Sequence, residues 1–207
     1  MRSICTGVFA LGAVVLSASA VHAQADITIR GIGGVTFVTE SGVLIGGSFA
    51  APAADNVQVT GEFAWMSNVL PNSFQDDLDA VASFLAFQLR APVVIDAKVR
   101  AFYGMTGIRY DFESQGKAKP FVEANVGFGR LNIRVDATAA GVDISDLFEQ
   151  AAEVESKSNF MTALGGGLGF ALNDVTGVDV GARYIRIFTS DPSINTAAVY
   201  GALRYKF

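Results

Sequence analysis

The chain contains one cysteine and one histidine among its 207 residues. Both fall at the front, as Cys5 and His22. That front has three parts: a basic Arg2, an apolar stretch "VFALGAVVL" from Val8 to Leu16, and the small residues "SASAVHAQA". The pattern is that of a secretory signal peptide over residues 1–23, with cleavage after Ala23 or Ala25. The apolar stretch is too short for the roughly 20 residues that a membrane-spanning helix needs. Cleavage would leave a single domain, residues 26–207, with no Cys and no His. A disulfide framework, a Cys- or His-based zinc site and an imidazole base are then excluded. No cofactor, metal or catalytic residue is expected, and no enzymatic activity.

Charge is also sparse. Asp, Glu, Lys and Arg make up 17% of the chain and the formal net charge is −5. An acidic balance argues against a nucleic-acid partner. Beyond the signal segment no hydrophobic run is long enough for a spanning helix, yet the mean hydropathy is +0.38. Sixteen Phe, five Tyr and 22 Gly are present. An exported, apolar chain without spanning helices can satisfy its backbone in lipid by closing a β-barrel.

Period-2 alternation supports that reading. Ile27, Ile29, Gly31, Gly33, Val35 and Phe37 share one face, and Val43, Ile45, Gly47 and Phe49 share the next. "APAADN" (Ala51 to Asn56) is a Pro-containing turn, followed by Val57, Val59, Gly61, Phe63 and Trp65 on one face. A fourth strand carries Phe102, Gly104, Thr106, Ile108, Tyr110 and Phe112, and a fifth carries Val122, Ala124, Val126 and Phe128. The sixth alternates around "GGGLG", the seventh carries Val178, Val180, Ala182 and Tyr184, and the last is "AVYGALRYKF". The expectation is an all-β fold: an eight-stranded antiparallel transmembrane up-and-down β-barrel with both termini periplasmic.

Two insertions, from about Asn68 to Asp96 and from about Asp136 to Lys157, fall on the external side. Leu78, Val81, Leu85 and Leu89 recur at helical spacing within Asn72–Arg90, with Phe84 and Phe87 widening the apolar face. Ile144, Leu147, Phe148 and Ala151 do the same within Ile144–Glu155. Short helices are therefore expected in two external loops. Both insertions are rich in Asp and Glu, and only Arg90 and Lys157 stand against these acids.

On the fifth strand Leu131, Ile133 and Val135 take over the apolar parity after Phe128. Either a β-bulge sits near Gly129 or the strand has left the membrane. Arg186 falls on the outward parity of the seventh strand and is placed at the outer interface.

Eight strands enclose a lumen that side chains can fill. The inward parity puts Arg30, Glu62, Arg109, Glu123, Asp179, Arg183 and Arg204 in its periplasmic half, four bases against three acids. Glu62, Arg109 and Glu123 fall on consecutive strands, as do Asp179, Arg204 and Arg30, so an interstrand salt-bridge network is expected there. Buried charges persist only when paired. Ile32, Val38, Leu44, Met66, Tyr103, Met105 and Met161 should fill the external half.

The signal peptide, the eight alternating strands and the closing "YGALRYKF" together resemble the small outer-membrane β-barrels of Gram-negative bacteria, the OmpA-like and opacity-type porin-family proteins. The resemblance covers the whole mature chain. It implies that Leu203, Tyr205 and Phe207 form the signal read by the barrel-assembly machinery. It also implies an outer-membrane location and contact with membrane lipid, including outer-leaflet lipid. The function expected is that of a monomeric barrel with a structural or surface-interaction role and a lumen largely plugged by side chains. A narrow porin-like conduit, or a binder of small hydrophobic molecules, is the alternative.

Overall fold

Alternation of apolar and polar residues favours extended chain, because successive side chains of a strand point to opposite faces. In the computed structural model, which describes residues 27–37, 41–69, 72–145, 158–189 and 193–207, the alternating segments are strands. They are β1 (Thr28–Phe37), β2 (Ser41–Ala54), β3 (Val57–Met66), β4 (Val93–Asp111) and β5 (Ala118–Ala139). A two-residue β6 (Val142–Asp143), β7 (Ser158–Ala171), β8 (Thr176–Phe188) and β9 (Ile194–Lys206) follow. One helix, α1 (Asn72–Leu89), lies between β3 and β4. The segment read as a signal peptide lies outside the described residues, as does Val38.

All pairings are antiparallel, in the order β4-β3-β2-β1-β9-β8-β7-β5, and β4 pairs back onto β5. The sheet therefore closes into a ring, and within that ring each strand is paired on both sides. β6 only adds two residues to the far end of β5. First and last strands meet in register, with Ile29 opposite Tyr205 and Val35 opposite Val199.

The ring is the reverse of a soluble barrel. Its exterior exposes Phe63 (62%), Ile108 (57%) and Leu164 (66%), while Arg109 (2%) and Asp179 (0%) are buried inside. Such an exterior suits hydrocarbon. Aromatic residues mark two levels on it. Phe37, Trp65, Phe102, Phe128, Phe160 and Phe188 lie toward one end, and Tyr110, Phe112, Phe170, Tyr205 and Phe207 toward the other. Phe102 of β4 and Phe112, the residue just past its end, bracket a stretch of about 33 Å of extended chain. At a tilt of about 40° this is about 25 Å in height, that of a barrel's apolar band.

Three expectations change. β2 runs through Pro52 to Ala54, with its register shifting between Pro52 and Ala54; the shift lets the strand absorb the proline, and the turn shrinks to Asp55–Asn56. β4 begins at Val93, within the insertion read as running to Asp96, and β5 continues to Ala139, past Asp136 where the second insertion was read to begin. Pairing of β5 with both β4 and β7 is free of register shifts around Gly129. The parity change on β5 is therefore a strand that has outrun its neighbours, not a bulge. Above the Ala101–Leu131 pair, β4 and β5 form a two-stranded ribbon, paired from Val93–Ala139 to Arg100–Asn132.

Inside that ribbon Ile95, Ala97, Val99 and Ala137 are buried. Ala97, Val99 and Leu131 join Met66, Tyr103, Met161, Ile185 and Ile187 in one hydrophobic cluster, against which Leu78 of α1 packs. Val69 donates its N–H to the Val99 carbonyl (2.9 Å), tying the loop to the ribbon. Only part of the helical apolar stripe is covered, because α1 packs mainly on β4; Val81, Phe84 and Phe87 stay exposed. No helix among the described residues is long and apolar enough to cross a membrane. In the second insertion Ile144 and Ser145 are non-helical, and residues 146–157 lie outside the described set.

Candidate functional site

The lumen holds the concentration of polar chemistry in this fold. β7 contributes room rather than side chains: its inward positions are Met161, Ala163, Gly165, Gly167 and Gly169. A Cβ at Gly167 would come within 2.9 Å of the Phe121 ring, and one at Gly165 within 2.7 Å of Arg183 Cβ. The "GGGLG" glycines thus leave space for large groups from other strands.

Of the seven charged residues read as lumenal, Arg30, Glu62, Arg109, Glu123, Asp179 and Arg183 are buried, and Arg204 is partly exposed at the barrel end where the last strand finishes. They fall into two clusters. In the deeper one Arg183 Nη1 donates to Glu62 Oε2 (2.7 Å), and Tyr103 Oη donates to Glu62 Oε1 (2.9 Å). Arg183 Nη2 also reaches Tyr103 Oη at 3.2 Å. Nearer the end where the chain finishes, Asp179 is the hub. Arg109 Nη1 donates to its Oδ2 at 2.7 Å, Arg204 Nη1 lies 3.5 Å from Oδ1, and Arg30 Nη1 lies 4.0 Å from Oδ2.

The partners are not the expected strand neighbours. Glu62 sits opposite Met105 rather than Arg109, and its cation comes from β8, across the lumen. Arg109 of β4 likewise reaches Asp179 of β8 across the interior. Glu123 is directly opposite Arg109 but takes no salt bridge; its Oε1 accepts from Tyr200 Oη at 2.9 Å. Arg30 and Arg204 are paired in register, two like charges side by side, which bring them both to Asp179. The reason is reach. In a narrow barrel a long arginine spans the interior as easily as the wall, so sheet adjacency does not choose its partner.

The sequence reading missed several members. Asp111 accepts from Arg109 Nε at 2.8 Å and from Gln58 Nε2 at 2.7 Å. It makes four acids for four arginines. Phe121 lies under the Arg109 guanidinium, 3.7 Å from Cζ to ring centroid, and Tyr200 lies 4.9 Å from Arg183 Cζ, both in the range of cation–π contact. Thr60 Oγ1 and Asn125 Oδ1 are 3.0 Å apart. Parity places them: Asp111 continues the inward series of Tyr103, Met105 and Arg109, and Phe121 opens the inward series of Glu123; which of these reach the arginines is set by the closed interior.

The external half of the lumen is apolar. Ile32, Leu44, Met66, Tyr103, Met105 and Met161 are all buried there and belong to one cluster. At the mouth near the end of the last strand an open cavity of about 570 Å³ is lined by residues that include Gln58, Asp111, Lys117, Lys119 and Arg204. Among the described residues no group of three or more His, Cys, Asp or Glu is placed to hold a metal ion.

On the exterior, Leu203, Tyr205 and Phe207 face outward, with the Tyr205 and Phe207 rings edge to face at 4.8 Å. Phe207 N–H donates to the Ile27 carbonyl at 3.0 Å, which ties the last residue to the first strand. Arg186 is exposed, and its guanidinium lies 5.0 Å from the Phe188 ring centroid, directing the charge toward the aromatic row. Asp96 and Asp136, read as acids without cations, pair with Lys98 and Arg134 (3.2 Å each), each two residues along the same strand on the same face. Farther out, Asp143 Oδ1 accepts from Ser145 Oγ (2.6 Å) and N–H (2.9 Å). Those donors hold its carboxyl below the usual carboxylate range.

Among solved structures, Neisserial surface protein A (NspA) superposes with a TM-score of 0.54 at 14% identity, covering 88% of this chain and 97% of that one. The N-terminal β-barrel domain of Pseudomonas aeruginosa OprF gives 0.46 at 12%, covering 88% and 100%. Ail of Yersinia pestis gives 0.44 at 14%, covering 87% and 97%. Identities this low speak to fold alone. A comparison with curated protein sequences finds no match. The family model described as "Outer membrane protein beta-barrel domain" matches residues 6–207. A ring without edges, greasy outside and charged within, thus carries that family's sequence pattern over nearly its whole length, and the chain belongs to the outer membrane protein β-barrel domain family and resides in the bacterial outer membrane.

Proposed function

We propose that the protein is an integral barrel of eight spanning strands with helices in its external loops, that side chains plug its lumen, and that its role is structural or one of surface interaction. The observation that carries this reading is the pair of cross-lumen bridges, Arg183–Glu62 and Arg109–Asp179, each at 2.7 Å. Each spans from one wall to the opposite one. Above them the apolar cluster fills the external half. Chains of this kind work through their surface, with lipid around the wall and partners at the loops. The monomer is the functional unit in this reading, and Leu203, Tyr205 and Phe207 engage the assembly machinery during insertion. Export would remove residues 1–23 or 1–25, which N-terminal sequencing of the mature protein checks.

Single-channel conductance in planar bilayers tests the plug. The wild-type protein is expected to give no steady channel. A steady conductance that vanishes when Glu62 and Arg109 are made apolar would replace this reading with the narrow conduit.

A further inference from the structure

We propose that the outer face of the β4–β5 ribbon binds the phosphorylated headgroup of an outer-leaflet glycolipid. This rests on the outer-membrane reading and adds the ligand chemistry and the residues. Lys98 and Arg100 of β4 and Arg130 and Arg134 of β5 share the outward parity, and all four are exposed. Register makes them neighbours. Lys98 is directly opposite Arg134, Arg130 is opposite Phe102, and Arg100 is opposite Asn132, diagonal to both β5 arginines. Diagonal neighbours on one face lie about 7–8 Å apart, a spacing that two phosphates on one headgroup can bridge.

The position of the cluster selects a lipid over a soluble anion. Arg130 stands level with Phe102, within the external aromatic row, where the Phe128, Phe160 and Phe188 rings follow one another at 5.7 and 5.6 Å. Aromatic rows of this kind mark the boundary between acyl chains and headgroups. Arg100 is then about 5 Å higher, and Lys98 and Arg134 about 10 Å higher, at the strand rise and tilt of such barrels. That interval covers the polar headgroup layer, about 5–8 Å deep on each side of the bilayer. The face is continuous with the lipid-facing wall below, so one molecule can lay its chains on the Phe row and its phosphates on the cations.

The charges are also arranged for an anion. Four cations are accompanied on this face by two carboxylates, Asp96 and Asp136, which lie opposite each other at the end away from the aromatic row. They pair with Lys98 and Arg134. Arg100, in the middle, makes no ion pair among the described residues. Exposed pairs of this sort contribute little to folding, so a stability role does not account for the cluster.

The test uses the purified mature protein in micelles and reads lipid retention by native mass spectrometry. The probes are a bis-phosphorylated glycolipid and the same glycolipid with its phosphates removed. Wild type is expected to retain the phosphorylated form at least about tenfold better. The variant K98Q/R100Q/R130Q/R134Q should lose that preference, and the charge-keeping R100K/R134K should retain most of it. Equal retention of the two glycolipids, or an undiminished preference in the quadruple variant, overturns the proposal. Each variant is first run with and without boiling. A wild-type chain lacking the heat-dependent gel shift would refute the barrel reading itself, whereas a normal shift without phosphate preference refutes only the headgroup site.

Discussion

The two halves of β4 follow one rule and reach opposite outcomes. Below Ala101 the outward positions are Phe102, Thr106, Ile108 and Tyr110, and the inward ones include Tyr103 and Arg109. Above it the outward positions include Asp96, Lys98 and Arg100, and Ile95, Ala97 and Val99 turn inward to be buried. Parity never slips along this strand. What changes is the medium outside, from hydrocarbon to headgroups and water. The medium inside changes with it, from a charged lumen to the ribbon's own apolar core under α1. Alternation therefore reports that two faces differ; it does not say which solvent either face meets.

The largest way to break this comparison is to unpair the charged interior. Asp179→Ala removes the acceptor approached by Arg109, Arg204 and Arg30 and leaves like charges together in a buried site. A loss of about 3–5 kcal/mol is expected. It would be read as a lower midpoint for the heat-dependent gel shift or for urea unfolding. The double change Glu62→Leu with Arg183→Leu removes both partners of one bridge and should cost less than Glu62→Leu alone. A double variant weaker than the single one would contradict the pairing.

A second test moves one charge between the two halves. Ile108→Lys, on the outward face near the middle of the apolar band, should destabilise by about 2–4 kcal/mol. Asn132→Lys, outward on the ribbon, should stay within about 0.5 kcal/mol. Equal effects in urea titrations in lipid vesicles would erase the boundary placed at Phe102.

The smallest expected effect lies at the far end of the ribbon, outside the membrane. Asp143 has its folded-state pKa depressed by Ser145. A depressed carboxylate stabilises above its unfolded pKa and loses that contribution as pH falls through the folded value. Protection of the Ser145 and Ala137 amides from exchange, relative to the intrinsic rate at each pH, should therefore fall only below about pH 4, the Ala137 N–H being bonded to Ser145 Oγ at 3.0 Å. Asp143→Asn should remove the pH dependence without unfolding the barrel.

Much of this was legible in residue order. Strand faces, the α1 helix and the parity that the seven charged residues share with their strands follow from period-2 or helical spacing, which are local properties of the backbone. Strand ends were less legible, because β4 and β5 outlast their neighbours and the apolar parity switches rather than stops at Leu131. A sequence reader sees the switch but not its cause.

The sequence by itself determined which side chains share a face, because backbone geometry alternates them wherever the chain is extended. Only the tertiary structure decided which charges meet. Glu62 finds Arg183 and Asp179 finds Arg109 across a closed interior, and the distance across a small ring is set by closure, not by spacing along the chain. Strand pairing beyond the ring placed Lys98 beside Arg134, with Arg100 diagonal to Arg134 and Arg130. Cations about 30 residues apart in sequence became one surface because the two longest strands stay paired in register above the rim.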